Sequence, residues 1–269
     1  MGFWEALISG VVQGVAEFLP ISSSGHLVIL HKLMGIKEPE IFFDIFLHLG
    51  TLAAIFIVFG REIVESVTTK KRIGFLILLS SAVTFIIALI FIKNIEAAFS
   101  NVRTVGIMLV VTGIWLIAGN LMRFIPRDSI KNIRVARDQF LLSKNCEGMT
   151  VFKASLIGLA QGIAVLPGIS RSGATISTGL FLGLDAQAAA KFSFLLSIPA
   201  IIGAFLFKIK ETGFNLPGMN VNYFIGFFIS CIVGVLSLKL LLRVLYKNKF
   251  HWFGVYCILA GLVVFLFLK

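Results

Sequence analysis

A short polar stretch, residues 13–26, interrupts the apolar N-terminal part of the chain. It holds an amide, a carboxylate, three consecutive serines and an imidazole. Gln13 and Glu17 are four residues apart and share one face of a helix. An amide oxygen beside a carboxylate suits a hard cation such as Mg²⁺ or Ca²⁺. We therefore predict that Gln13 and Glu17 contact a metal ion or a substrate; the alternative is that they only seal the turn by hydrogen bonds to backbone.

Three serines and a glycine follow the break in the first apolar run: Ser22, Ser23, Ser24 and Gly25. A turn of this composition before a helix presents hydroxyl and N–H groups to an anion. Simple N-capping is the alternative, but three adjacent hydroxyls exceed what a cap needs. His26 lies one turn further on, and its imidazole suits proton transfer. We predict anion binding or catalysis here, against a purely structural role for His26.

A second polar stretch, residues 161–175, lies about half a chain further on and matches the first. Gln13 corresponds to Gln161, Gly14 to Gly162, Ser22 to Ser170, and Ser24-Gly25 to Ser172-Gly173. All these pairs keep one offset, which indicates an internal repeat.

Arg171 is the most informative single residue of the second stretch. It lies between two serines inside an apolar region. A guanidinium matches phosphate with two parallel hydrogen bonds and keeps its charge at any physiological pH. Phosphate binding is the favoured interpretation, with a buried ion pair to Glu17 as the alternative. The other residues predicted to bind substrate in this stretch are Gly168, Ser170, Ser172 and Thr175.

Asp44 and His48 repeat the four-residue spacing at the start of the next apolar run. Supporting hydrogen bonds are the favoured interpretation for this pair, and direct catalysis is the alternative.

The composition indicates a membrane protein. Of 269 residues, 58% are hydrophobic, 27 are Phe and only 14% are charged, which a soluble domain of this length would not show. The net charge of +11 is better explained by cytoplasmic loops and an anionic lipid or substrate than by nucleic acid. Cys146, Cys231 and Cys257 are scattered and odd in number, so they indicate neither a disulfide framework nor a metal site.

The apolar runs predict an all-α polytopic membrane protein with an inverted-topology repeat. Each half has two short helices (3–18 and 24–34; 151–165 and 172–183), too short to span a bilayer, which we interpret as re-entrant hairpins. Each half then has three full spans, at 42–59, 73–92 and 104–122, and at 187–207, 221–243 and 251–268. Because three is odd, the second half enters the membrane upside down relative to the first. The chain is thus one integral membrane domain, 1–269, with repeat one at 1–122, a basic linker at 123–150 and repeat two at 151–269.

The distribution of Lys and Arg predicts the orientation. The loops at 60–72, 123–153 and 243–250 carry 14 of these residues, and the opposite side carries 7. The positive-inside rule puts the first side in the cytoplasm, so both termini and the mouth of the first hairpin face outward. Membrane lipids are expected partners. The sequence is compatible with a homodimer but does not specify the oligomeric state.

The motifs resemble those of the BacA-type undecaprenyl diphosphate phosphatases. The matching runs are Gln13-x-x-x-Glu17, Leu-Pro-x-Ser-Ser-x-Gly-His26, and Pro167-Gly-x-Ser-Arg171-Ser-x-x-Thr175, and the resemblance covers essentially the whole chain. It implies an enzyme of the bacterial inner membrane that hydrolyses undecaprenyl diphosphate to the monophosphate, recycles the carrier for peptidoglycan synthesis, and confers bacitracin resistance.

The resemblance also assigns roles. It implies dependence on Mg²⁺ or Ca²⁺, an acidic pair at Gln13 and Glu17, and catalytic roles for Ser23, His26 and Arg171. The first acidic position is Gln here, which lowers the charge available to a cation. Ser23 would attack phosphorus or position a water, and His26 would handle the proton. The rival class is a polyprenyl-phosphate flippase with the same anion site; a serine, a histidine and a carboxylate together exceed what transport requires.

Overall fold

The structure, a computed structural model, describes residues 1–36, 41–99, 101–121, 148–211, 220–246 and 250–268. Within these ranges the chain is all-helical, with ten helices and no strand. They are α1 (Phe3–Ala16), α2 (Ser23–Leu33), α3 (Ile41–Thr68), α4 (Lys71–Phe99), α5 (Val102–Leu121), α6 (Val151–Ile163), α7 (Arg171–Phe181), α8 (Ala186–Glu211), α9 (Val221–Tyr246) and α10 (His251–Phe267). Most of the predicted basic linker lies outside the described residues.

Five helices, α3, α4, α5, α8 and α9, are long and apolar enough to cross a membrane. The chain is therefore a multi-pass membrane protein, as its composition predicts. The sixth predicted span, 251–268, appears as α10, which has 17 residues and stands at the lower end of the usual length for a crossing.

Some helices run well beyond the apolar windows. The predicted span 42–59 is the first part of α3, which continues to Thr68 after non-helical backbone angles at Phe59 (φ −113°, ψ 17°). The apolar pattern stops near Phe59 because charged residues follow, but the helix goes on because they find partners. Glu62 is buried with its carboxylate 3.6 Å from Lys191 Nζ of α8. The length of an apolar run therefore predicts which part of a helix lies in the lipid, but it does not predict where the helix itself ends.

The two pairs of short helices break at corresponding places. After α1 the chain leaves helical structure around Pro20, which has no N–H to donate, and α2 starts after Ser22. Ser22 Oγ accepts the N–H of Gly25 (3.3 Å), and in the second half Ser170 Oγ accepts the N–H of Gly173 (3.1 Å). Each serine caps its helix by the usual N-cap bond.

Glycines allow the helices to pack closely across the two halves. Helix α1 packs on α9 and α6 packs on α4. A Cβ at Gly14 of α1 would lie 2.7 Å from Val233 Cβ, and one at Gly158 of α6 would lie 2.5 Å from the Ser80 carbonyl oxygen. Two hydroxyls of α4 also donate to α6 carbonyls, Ser80 to Ala154 (2.7 Å) and Thr84 to Gly158 (2.9 Å). Small residues and hydroxyl bonds of this kind hold helices together in lipid.

Helices α5 and α10 form the most extensive helix pair. Gly113 faces Gly254, and Gly106 faces Gly261, with a Cβ at Gly113 only 2.5 Å from the Gly254 carbonyl oxygen. This contact joins the last helix of one half to the last helix of the other. It also fixes the position of α5, which supports the loop before α7.

Candidate active site

The breaks in the two helical pairs lie against each other. A Cβ at Gly25, in the first turn of α2, would lie 2.9 Å from Gly168 Cα in the loop before α7. Gly168 has φ +96° and its own Cβ would lie 2.6 Å from the Val105 carbonyl oxygen, so both its backbone angle and its surroundings require glycine. Thr112 of α5 holds this loop by donating to Gly168 O (2.9 Å) and accepting from Ser170 N (3.0 Å).

Glu17 connects the two stretches. Its Oε2 accepts the Ser23 hydroxyl at 2.6 Å and the Gln13 amide nitrogen at 3.1 Å. Its Oε1 contacts Nη2 of Arg171, which comes from the second half. The carboxylate is buried, so its charge is balanced by the guanidinium rather than by water. The structure thus shows the ion pair to Glu17 that the sequence offered as the alternative for Arg171. Phosphate binding by the same guanidinium stays a prediction.

The second terminal nitrogen of Arg171, Nη1, is buried and has no hydrogen-bond partner among the described residues. A buried, charged donor without an acceptor is costly. The guanidinium thus has a donor to offer to an anion while Nη2 stays on Glu17.

A cavity of about 240 Å³ opens beside these groups. Its polar lining residues are Glu17, Ser23, Ser24, Asp44, His48, Thr84, Gln161, Ser170 and Arg171, and its remaining wall is mostly alanine, valine, leucine and isoleucine. Of the residues predicted to act on substrate, the structure brings Glu17, Ser23, Ser24, Ser170 and Arg171 to this cavity. An anion site with one apolar wall suits a charged head group that carries an apolar tail.

Other predicted residues contact this site only indirectly. Ser22 caps α2, and Gly25 and Gly168 are where the two stretches touch. Ser172 Oγ lies 3.4 Å from the Leu19 carbonyl oxygen, and Thr175 bonds Ser193 of α8 at 2.6 Å. None of these five residues lines the cavity. Their contacts hold the backbone around the site in place.

His26 also lies outside the cavity lining. Its Nδ1 is 2.8 Å from the Ser22 carbonyl oxygen, which can only accept, so Nδ1 carries the hydrogen. Its Nε2 is then left to accept the hydroxyl of Tyr256, 2.7 Å away on α10, and the two rings stack. In this arrangement both ring nitrogens are occupied, and the structure does not bring the imidazole to Ser23.

The histidine that does reach the site is His48 of α3. Its Nε2 lies 3.4 Å from Glu17 Oε2, and its Nδ1 donates to the Asp44 carbonyl oxygen at 2.7 Å. The four-residue spacing in the sequence singles out His48 and Asp44 but does not place them beside Glu17. The sequence marks Gln161 only as the repeat partner of Gln13, and it gives no signal for Thr84.

The residues present allow a divalent cation but do not enclose one. No group of three His, Cys, Asp or Glu side chains in the described parts of the chain could hold a metal ion. Gln13 turns its amide nitrogen toward Glu17, and its Oε1 is buried with no hydrogen-bond partner. Mg²⁺ commonly binds one or two carboxylates together with substrate phosphates. Glu17 fits that role, and Gln13 could add its oxygen only after its amide turns.

The profile of the family described as "Bacitracin resistance protein BacA" matches residues 6–263. The chain belongs to the BacA family. The resemblance in its motifs is thereby confirmed, and the match includes at least part of each of the ten described helices.

Several curated proteins match this chain over nearly their whole length and are named undecaprenyl-diphosphatase. The undecaprenyl-diphosphatase of Carboxydothermus hydrogenoformans is 41% identical over 273 residues, which cover 98% of this chain and 97% of the relative. Those of Desulforapulum autotrophicum and Treponema denticola are 38% and 37% identical, and each alignment covers at least 96% of both chains. The names of these relatives describe a phosphatase.

Proposed function

We propose that this chain hydrolyses undecaprenyl diphosphate to undecaprenyl phosphate and inorganic phosphate. The observation that carries the proposal is the meeting of Ser23, Glu17 and Arg171 at one cavity. The Ser23 hydroxyl lies 2.6 Å from the Glu17 carboxylate, so the hydroxyl can act as the nucleophile and the carboxylate as its base. Arg171 Nη1, which has no hydrogen-bond partner among the described residues, can bind a phosphate oxygen. The names of the relatives, which cover nearly the whole chain, supply the substrate. They give no support to the flippase alternative.

The reaction proceeds in two displacements. Ser23 Oγ bonds to the terminal phosphorus while the bridging P–O bond breaks, and the electron pair leaves with the polyprenyl monophosphate. The serine proton passes to Glu17 and then to the leaving phosphate. In the second displacement a water oxygen bonds to phosphorus while the P–Oγ bond breaks and its electron pair stays on Oγ. One water proton reaches Oγ through Glu17, and the other stays on the released phosphate.

Positioning of the reacting groups and stabilisation of charge account for most of the rate acceleration in enzymatic phosphoryl transfer. Arg171 faces the phosphate, and the N–H groups at the start of α7 and the hydroxyls of Ser24 and Ser170 add donors. Mg²⁺ or Ca²⁺, held by Glu17 and the diphosphate, would neutralise phosphate charge.

His26 is proposed to stabilise the conformation of the turn before α2. Its contacts with Ser22 and Tyr256 tie the turn before α2 to α10. The role that the family resemblance gives His26, proton transfer, would require the ring to leave Tyr256 and turn into the cavity.

Phosphate release tests the proposed activity directly. The purified chain in detergent, with divalent metal and no membrane gradient, should release inorganic phosphate from undecaprenyl diphosphate. Ser23→Ala should abolish release. Ser81→Ala is the matched control and should retain wild-type turnover. Among the described residues, the Ser81 hydroxyl bonds only a carbonyl of its own helix, that of Ile77. No release by the wild-type protein at any metal concentration would end the proposal.

We also propose that the two halves are inverted copies in the bacterial inner membrane, with α1–α2 and α6–α7 as re-entrant hairpins. Gly10 and Gly14 of α1 and Gly158 and Gly162 of α6 pack at corresponding positions, and Ser22 and Ser170 cap corresponding helices. Single cysteines placed at residue 2 and at residue 69 should react with a membrane-impermeant thiol reagent from outside and from inside the cell, respectively. Reaction of both from one side would contradict this topology.

A further inference from the structure

Gln161 of α6 has a buried oxygen that the protein itself does not satisfy. The residue is 2% exposed, it lines the cavity, and its Oε1 has no hydrogen-bond partner among the described residues. An unsatisfied buried acceptor destabilises a protein. Its place in the cavity wall indicates that its partner comes from outside the protein.

Thr84 of α4 fixes which end of the amide faces the cavity. The Thr84 hydroxyl has one hydrogen, which it directs at the carbonyl oxygens of Ser80 and Gly158, both 2.9 Å away. Toward Gln161 it can therefore only accept, and it does so from Nε2 at 3.2 Å. The amide cannot be turned round without placing its oxygen against another acceptor. The contact with Thr84 thus keeps Oε1 without a hydrogen-bond partner among the described residues.

The corresponding glutamine of the first half is used differently. Gln13 gives its amide N–H to Glu17. Its Oε1 is also buried without a hydrogen-bond partner among the described residues, but Gln13 does not line the cavity. Repetition of the sequence therefore does not explain the position of Gln161, whose amide faces the cavity and is oriented by a second helix.

An acceptor in a phosphatase cavity has few donors to meet. Phosphate oxygens without protons would repel it, and the donors of the cavity itself, such as Arg171 Nη1 and the Ser170 hydroxyl, bind phosphate in the proposed reaction. A water molecule about to attack phosphorus needs an acceptor that orients its lone pair without taking its proton. A glutamine side chain performs that task in some nucleotide hydrolases.

We propose that Gln161 Oε1 accepts a hydrogen bond from the water that attacks phosphorus in the second displacement. This rests on the proposed function. The water oxygen bonds to phosphorus as the bond to Ser23 Oγ breaks, and the proton transferred is the one that passes to Glu17. The hydrogen held by Gln161 stays on the released phosphate. Gln161 is then a catalytic residue, and Thr84 is the positioning residue that acts through it.

The test uses Gln161→Met in the full-length purified chain. This variant removes the oxygen at nearly constant size. We expect kcat to fall about a hundredfold, as expected for a misplaced reacting group, with KM falling in parallel, because kcat/KM depends only on the steps up to the first displacement. Phosphate should accumulate on Ser23, detected by mass spectrometry of protein quenched during turnover. The thermal unfolding temperature should stay the same or rise, because an unsatisfied acceptor is lost; a merely structural glutamine would lower it.

Two further variants separate the roles. Thr84→Val should allow the amide to turn and lower kcat about tenfold, whereas Thr84→Ser keeps the hydroxyl and should restore most turnover. Gln187→Met, at a partly exposed position on α8, is the matched control and should behave as wild type.

The outcomes discriminate among the explanations. Turnover by Gln161→Met within threefold of wild type would overturn the inference while leaving the phosphatase intact. Reduced kcat without phosphate on Ser23 would place the effect in the first displacement and also overturn it. A higher metal requirement with normal kcat at saturating metal would assign Oε1 to the cation instead. A wild-type chain that releases no phosphate would fail the proposed function, a result distinct from all three.

Discussion

The guanidinium of Arg171 contacts the carboxylate of Glu17, which lies 154 positions earlier in the chain. One residue belongs to each half, so the ion pair joins the two polar stretches at the wall of the cavity. Nη1 of the same guanidinium has no hydrogen-bond partner among the described residues, so in the proposed reaction Arg171 would contact the substrate before the ion pair breaks. The pair thereby holds the site together in the absence of substrate.

Arg171→Lys should lower phosphate release at least about a hundredfold, because an ammonium cannot contact Glu17 and a phosphate in two fixed directions at once. The unfolding temperature in detergent should change little, since the charge that balances Glu17 is kept. Arg72→Lys is the matched control: Arg72 donates to the Met149 carbonyl oxygen, away from the cavity. Turnover of Arg171→Lys close to that of Arg72→Lys would show that Arg171 only stabilises the fold.

Ser22 has a left-handed backbone conformation, φ 70° and ψ 93°, which is strained for a residue with a side chain. Ser22→Ala keeps the strain and loses the cap on Gly25, whereas Ser22→Gly loses the cap but relieves the strain. The glycine variant should therefore unfold with a free energy about 1 kcal/mol higher than the alanine variant. Chemical denaturation in detergent measures both; an alanine variant as stable as the glycine variant would contradict the strain.

Gly113→Ala should destabilise the chain by about 2 kcal/mol, because the added methyl group would meet the Gly254 carbonyl oxygen at 2.5 Å. The control is Gly203→Ala on α8, where a Cβ meets nothing within 4 Å; it should be neutral or slightly stabilising. Thermal unfolding of the two variants side by side is the measurement. Equal unfolding temperatures would mean that α5 and α10 can move apart at little cost.

Lys191→Met should destabilise the chain by about 3 kcal/mol, because it leaves the buried carboxylate of Glu62 without its cation. The double variant Glu62→Leu with Lys191→Met should recover most of the loss, since both charges are then gone. Unfolding in detergent compares the single and double variants. A double variant no more stable than Lys191→Met would show that the lysine stabilises through packing rather than charge.

The sequence predicts much of the architecture, because the relevant signals are local. Apolar length identifies the long helices, and Pro20 with the serine caps identifies the breaks between the short ones. The repeat of Gln13 and Ser22 at Gln161 and Ser170 indicates that the two breaks share a role. Apolar length does not predict the end of α3, because the helix continues past Phe59 through charged residues that find partners. Glu62 pairs with Lys191 of α8, and Arg61 pairs with Glu65 in the next turn of α3.

For the site, the residue types came from the sequence and the distances came from the tertiary structure. Motifs name Glu17, Ser23 and Arg171, because the carboxylate, hydroxyl and guanidinium carry their chemistry wherever they lie. Which groups share the cavity depends on how α2, α3 and α6 pack, and packing is decided by side-chain shape across helices distant in the chain. Helix packing therefore brings His48 to Glu17, directs His26 toward Tyr256 and leaves the oxygen of Gln161 facing the space where substrate would react.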